Sequence, residues 1–266
     1  MILTPARWQR ASVFTALLAA ASAGALELRT GAQEAAAPKF VAQTVDGKAR
    51  IGGLCVDIMR ALERAEPELK FVGDQHWFPH ARLSSGIAHG QFDLLCALSR
   101  TPERKALYGF IDTPLFAVDY LLTVRAGDEV QVRDWSDVRN LGDQGVVLTM
   151  HGYDGILSHL REVGGLRIDA GGRNTKVNLE KLLAGRGRFF VHRNPGIYGE
   201  VARSGLQDKV KILPLAMYKE NFYMMVARSM PADTRETLNR ALLALVNSGE
   251  LARIARQWQD TVEPAQ

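Results

Sequence analysis

From about residue 26 onward, apolar positions come in short blocks that switch between continuous runs and helical spacing. Leu26 to Gly31 (LELRTG) alternates towards a first strand. After the turn at Asp46-Gly47, Leu54, Ile58 and Leu62 repeat at helical spacing until Glu66-Pro67, which predicts a core-facing helix. Leu69 to Val72 predicts a second strand, and Trp77-Phe78-Pro79 breaks into a helix with Ala81, Leu83 and Ile87 inward. Phe92 to Leu98 is a nearly continuous apolar run opened by Gly90, which suits a strand of a parallel sheet buried on both faces. Tyr108 to Leu115 leads into a strand at Tyr120 to Val124, with Phe116 to Asp119 as a hinge candidate.

The pattern then repeats on a smaller scale. Asp134 to Leu141 followed by Gly145 to Leu148 reads as helix, turn and strand, and Ile156, Leu157 and Leu160 as a helix ending at Gly164-Gly165. Val177 to Leu183 is a helix closed by Gly185, Phe189 to His192 a buried strand, and Val210 to Leu215 and Tyr218 to Val226 further strands. Leu238, Leu242 and Leu245 mark a long amphipathic helix, and Ser248-Gly249 separates it from a last one carrying Leu251, Ile254 and Trp258. Strands alternating with helices predict the α/β class.

Composition sharpens this picture in three places. With 266 residues and 47% hydrophobic content, the chain is near the size at which one core divides into two, so two lobes are expected. At the amino terminus, Arg7 and Arg10 precede the apolar run Ala11 to Ala21 and the small residues Ala23-Gly24-Ala25, the pattern of a secretory signal peptide over residues 1–25. Removing it takes away two Arg and no acid, so Lys+Arg falls from 33 to 31 against 29 Asp+Glu and the formal charge from +4 to +2. Basic residues interspersed with acids, without interleaved aromatics, give no nucleic-acid footprint. The six His show no metal-ligand spacing, and neither a metal nor another cofactor is called for. Export would place Cys55 and Cys96 in an oxidising compartment; two buried, unlinked thiols are the favoured reading and a bridge the alternative.

Candidate chemistry lies at strand ends, because ligands of open α/β sheets bind beyond the carboxyl ends of the strands. The run Phe92 to Leu98 delivers Ser99, Thr101 and Arg104, with Pro102 opening a helix. The Arg104 fork, the two hydroxyls, free amides of the first helical turn and backbone near Cys96 and Ala97 could hold a carboxylate. The alternative is a solvated Arg104 paired with a nearby Glu. Trp77 is a candidate for an apolar cleft wall, and Phe78 for the lobe's own core. Gly152, Tyr153 and Asp154 end a strand before a helix, leaving amides open to an anion or forming a turn and nothing more.

The motifs Gly90-Gln91-Phe92-Asp93, Thr101-Pro102-Glu103-Arg104 and Ile111-Asp112-Thr113-Pro114-Leu115 stand in an order that resembles the family 3 periplasmic solute-binding proteins, receptors of polar amino-acid ABC importers. Gly53 to Asp57, Trp77 to Arg82 and Gly249-Glu250-Leu251 fit the same order. The resemblance implies a two-lobe type II periplasmic-binding-protein fold with a ligand cleft between lobes and two hinge crossovers. Lobe 1 would hold residues 26–117 and 218–266, and lobe 2 residues 118–217. It also implies a monomeric periplasmic receptor for a small anionic or zwitterionic solute, an amino acid or organic anion, handed to ABC permease subunits. Those receptors place a stacking aromatic in the loop that here reads Ala35-Ala36-Ala37-Pro38, so that contact is absent or comes from Phe40. They also place an ammonium-binding Asp where this chain has Arg193, which disfavours an ammonium if Arg193 faces the cleft. Arg193 could instead turn outward to Glu200, leaving Asp154 or Glu34 to meet an ammonium. Cyclohexadienyl dehydratases share this fold, so an enzyme is the rival class, and a periplasmic sensor or partner protein is a third.

Overall fold

In the computed structural model, which describes residues 25–260, strands β1 (Leu26–Arg29) and β5 (Leu69–Val72) pair in parallel, Leu26 opposite Leu69. The short strands β2 (Ala32–Gln33) and β6 (Trp77–Phe78) also pair in parallel. Between them come the hairpin β3 (Val41–Val45) and β4 (Lys48–Gly52), then helix α1 (Leu54–Ala65). Leu54, Ile58, Met59 and Leu62 form the buried stripe of α1. Gly53, at φ 121°, precedes the helix, since any Cβ there would collide with the carbonyl of Lys39. Helix α2 (His80–Ala88) buries Leu83 and Ile87, but Ala81 is exposed, contrary to expectation, because the first turn of α2 faces solvent.

Strand β7 (Leu94–Ser99) is buried at every position, yet it does not belong to a parallel sheet. It pairs antiparallel with β14 (Tyr218–Val226), and residues on its amino-terminal side lean on β1 through the bond from Asp93 N to Arg29 O, 2.8 Å. A continuous apolar run reports burial on two faces and is silent about the direction of the neighbours. After α3 (Pro102–Leu107) and β8 (Gly109–Phe110), strand β9 (Phe116–Arg125) runs without a break through the hinge candidate. Phe116 to Asp119 pair with Phe222 to Lys219 of β14, so the two crossovers are neighbouring antiparallel strands.

Beyond Asp119, β9 pairs with β12 (Phe189–Asn194) and β13 (Val210–Ile212), and β12 lies parallel to β10 (Val147–Met150), itself parallel to β11 (Ile168–Gly172). Helix α4 (Trp135–Asn140) is capped by the Asp134 carboxylate on Ser136 N at 2.8 Å. Helices α5 (Asp154–Val163), α6 (Thr175–Leu183) and α7 (Ile197–Ser204) cover this sheet, with Leu148, Leu179, Leu182, Phe190 and Ile197 at the centre of a core. Helices α8 (Ala232–Asn247) and α9 (Glu250–Asp260) return to α1, burying Leu242, Ile254 and Trp258 against Leu54, Ile58 and Leu62.

Cys55 and Cys96 form a disulfide with Cα atoms 6.0 Å apart, which corrects the expectation of unlinked thiols. Sequence cannot show that the start of α1 and the middle of β7 come within bridging distance. The signal-peptide segment lies outside the described residues. Among those described, no helix is long and apolar enough to cross a membrane.

Candidate functional site

The end of β7 is bent at the site. Ala97 has φ 60°, the pairing with β14 shifts register there, and the Ala97 carbonyl accepts from Lys39 Nζ at 3.3 Å. Two residues on, Ser99 Oγ donates to Glu220 Oε1 at 3.0 Å, and the Tyr120 hydroxyl donates to the same oxygen at 2.8 Å. Burial pushes the Glu220 carboxyl above its ordinary range, outweighing those hydrogen bonds and the charge of Arg104. Thr101 Oγ1 accepts from Arg104 N at 3.3 Å and so caps α3. The Arg104 guanidinium donates to Ser99 O at 3.3 Å and to the Asp154 carboxylate at 2.9 Å.

Asp154 belongs to the opposite wall. There Gly152 and Tyr153 follow the end of β10, and α5 begins so close to β7 that a Cβ on Gly155 would overlap Ser99 Oγ. The glycine lets the first turn of α5, with its free amides, rest on the serine. From the end of β12, Arg193 enters the same space; it is buried and donates to the Tyr153 hydroxyl and to Ala37 O, the latter at 2.7 Å. Glu200 Oε1 stands 3.8 Å from it. Arg193 therefore lines the cavity and meets Glu200 inside the protein, which merges two arrangements that sequence reasoning treated as alternatives.

The cavity between these walls is partly open to solvent. Lys39 lines it, 7% exposed, held by Gln33 Oε1 at 3.0 Å and by Ala97 O. Burial first, then the charges of Arg193 and Arg104, lower its pKa well below the usual lysine value. Burial, with Lys39 and Arg104 next in effect, pushes His80 down to about 4, so its ring is neutral at physiological pH.

Seven expected residues line this cavity: Ala97, Ser99, Arg104, Gly152, Tyr153, Asp154 and Arg193. Three do not. Cys96 lies behind it in the disulfide, Thr101 caps α3, and Trp77 lines a separate groove with Ala35, Ala36 and Ala37. Phe40 is a core residue and Glu34 is exposed. Phe78 packs on Phe92 with ring centroids 5.2 Å apart, the core role anticipated for it. Sequence reasoning missed Gln33, Lys39, His80, Tyr120 and Phe222, together with Glu220 just behind the wall. Gln33 and Lys39 flank the Ala35-Ala36-Ala37-Pro38 loop, where the resembling receptors carry a stacking aromatic. Tyr120 and Glu220 sit inside long strands, where no local signal separates a cleft-facing polar group from a solvated one. Among the described residues, no group of His, Cys, Asp or Glu is placed to hold a metal ion.

An α/β protein with a polar cleft between strand ends defines the class of two-lobe binding proteins. The chain belongs to the bacterial extracellular solute-binding proteins, family 3, which it matches over residues 28–261. Solved structures share the type II periplasmic-binding-protein fold. An amino-acid ABC-transporter substrate-binding protein of Streptococcus pneumoniae, bound to L-arginine, is 18% identical with a TM-score of 0.67 over 90% of this chain and 97% of its own. A putative ABC-transporter binding component of Wolinella succinogenes, complexed with lysine, is 20% identical with a TM-score of 0.68 over 87% and 95%. The GluR0 ligand-binding core of Nostoc punctiforme, in complex with L-glutamate, is 21% identical with a TM-score of 0.64 over 88% and 99%. No curated protein matches the sequence.

Proposed function

We propose that the protein is a periplasmic receptor that binds a small carboxylate-bearing solute between its lobes and delivers it to an ABC-type importer. Lobe 1 comprises residues 26–117 and 218–266, and lobe 2 residues 118–217. The antiparallel pairing of β9 with β14, the strands that would carry the two crossovers, supports that division. The carrying observation is the convergence of Ser99 and Arg104 from lobe 1 with the first turn of α5 from lobe 2 on one cavity. Donors from both lobes on one anion favour closure, and exclusion of water strengthens each bond. The amino acids named with the solved relatives support a solute of that size. The Arg7 to Ala25 pattern supports export, and the receptor acts as a monomer.

The test is a thermal-shift screen of amino acids and organic acids, since a solute that binds the native state raises the unfolding temperature by mass action. Stabilisation by at least one carboxylate is expected; none across the panel would sink the reading. Glu220 favours a second reading, a dehydratase on the same fold, because a buried carboxyl with a raised pKa can donate a proton. Turnover of prephenate or arogenate by the purified protein would replace the receptor reading with that one.

A further inference from the structure

Three lysine and arginine side chains face the cavity, Lys39, Arg104 and Arg193, against one acidic side chain, Asp154. The nearby acids are already engaged. Asp154 sits on Arg104 at 2.9 Å, Glu220 accepts from Ser99 and Tyr120, and Glu200 is shared among Thr175, His192 and Arg193. Lys39 has no such counter-ion. Its hydrogen-bond partners among the described residues are the Gln33 amide oxygen and the Ala97 carbonyl, which leave one of its three N–H bonds over. A buried ammonium held only by neutral oxygens is unfavourable, and an anion in the cavity would offset that cost.

We infer that the cleft selects a short dicarboxylate, with one anionic group at each end and no ammonium. One carboxylate takes the Arg104 fork, displacing Asp154, and adds bonds from the free amides of the first turn of α5. The other meets the remaining N–H of Lys39, in the field of Arg193. Lys39 and Arg104 line the same cavity, so a short chain suffices to join the two carboxylates. An ammonium in this space would stand among like charges, a repulsion that discriminates strongly in a desolvated site.

This inference rests on the receptor reading of the cavity, so the experiment separates the two. The full chain is titrated calorimetrically with succinate, 2-oxoglutarate, butyrate, L-glutamate, L-arginine and sulfate. Succinate or 2-oxoglutarate is expected to bind about tenfold or more tighter than any of the others. If butyrate, either amino acid or sulfate binds as tightly as the better dicarboxylate, the dicarboxylate inference falls and the receptor reading stands. If none of the six binds, both fall. Lys39→Met should weaken the dicarboxylate about tenfold and change butyrate by no more than about threefold. Should that variant fail to fold, Asp154→Asn gives an independent answer, since the Asp154 side chain is half exposed. Freed from its internal competitor, Arg104 should hold the dicarboxylate several-fold tighter; weaker binding would instead mark Asp154 as an ammonium partner and overturn the inference.

Discussion

Two arginines reach the cleft from opposite sides, and they are held in different ways. Arg104 stands on α3, a helix of six residues with no buried position, and meets one backbone carbonyl and a half-exposed carboxylate across the cleft. Arg193 is the last buried residue of β12 and is fixed by Ala37 O, the Tyr153 hydroxyl and ring, and Glu200. An arginine whose partner is half exposed to water can hand its fork to a solute at little cost. One whose partners are buried contributes field and shape instead, because breaking its bonds strands polar groups in the interior. The two residues carry the same charge and do different work.

The largest way to break the contrast is to loosen the ground on which the Arg104 side stands. The disulfide closes a loop with sequence separation 41 and ties α1 to β7 just before the bent Ala97. In the chain-entropy account, the double substitution Cys55→Ser, Cys96→Ser should cost about 4 kcal/mol of stability in urea unfolding. A loss below about 1 kcal/mol would mean that packing alone fixes this end of the sheet. The other end is untied by Glu200→Gln. Burial alone would raise the Glu200 carboxyl, but the charges of His192 and Arg193 and hydrogen bonds from His192 and Thr175 outweigh it and hold the pKa at about 2. A folded-state pKa below the ordinary 4.5 contributes stability that is fully present above pH 4.5 and is lost as pH falls towards 2. The variant should be less stable by about 3 kcal/mol at pH 7 and show a flatter acid limb between those values. An unchanged acid limb would show that Arg193 is fixed without Glu200.

The same contrast separates what could be read in the sequence from what could not. Elements whose side chains report burial were legible: α1 from Leu54, Ile58 and Leu62, β14 over its full length, and the last two helices with their separator at Ser248-Gly249. Elements rich in Gly or polar residues were not. The hairpin β3–β4, strand β11 (IDAGG) and helix α7 (IYGEVARS) carry too few apolar positions to set a period. At the site, the strand-end rule found Arg104, Ser99 and the start of α5, because a positioned cation after a strand is a local feature. Lys39 escaped notice because its environment is assembled from three separated segments, with Gln33 beside it, Ala97 on β7 and Phe222 on β14. Whether a lysine in a loop points into water or into a cavity is decided by packing that a single sequence does not display.

A smaller effect is expected from Arg104→Lys. Lysine keeps the charge but not the planar fork, so a solute carboxylate loses its paired geometry while the cavity keeps its potential. Affinity for the preferred carboxylate should fall by about 1.5 to 3 kcal/mol, the range for hydrogen bonds to charged groups. The matching change at the other end, Arg193→Lys, should reduce thermal stability as well as affinity, because its bonds to Ala37 O and Tyr153 are internal. Equal losses of affinity with no loss of stability in either variant would erase the distinction between the two arginines.

The finest test concerns Thr101, a sequence candidate for the solute that the fold uses as a cap. Its hydroxyl oxygen accepts from Arg104 N, and α3 has no buried face to hold it otherwise. Thr101→Ala should therefore fray α3 and cost about 1 kcal/mol of stability, the typical value for a lost amino-terminal cap. Arg104 itself keeps its contacts to Ser99 O and Asp154, so affinity should move by only a few tenths of a kcal/mol, as for positions that touch no ligand. Ser99→Ala provides the reference, since Ser99 Oγ lines the cavity and its loss also leaves Glu220 one bond short. If calorimetry finds the two alanine variants equally impaired in binding, Thr101 touches the solute and the Arg104 end is built from one more direct contact than the cap geometry allows. If only Ser99→Ala is impaired, Thr101 serves α3 as a cap and Arg104 keeps its place through Ser99 O and Asp154.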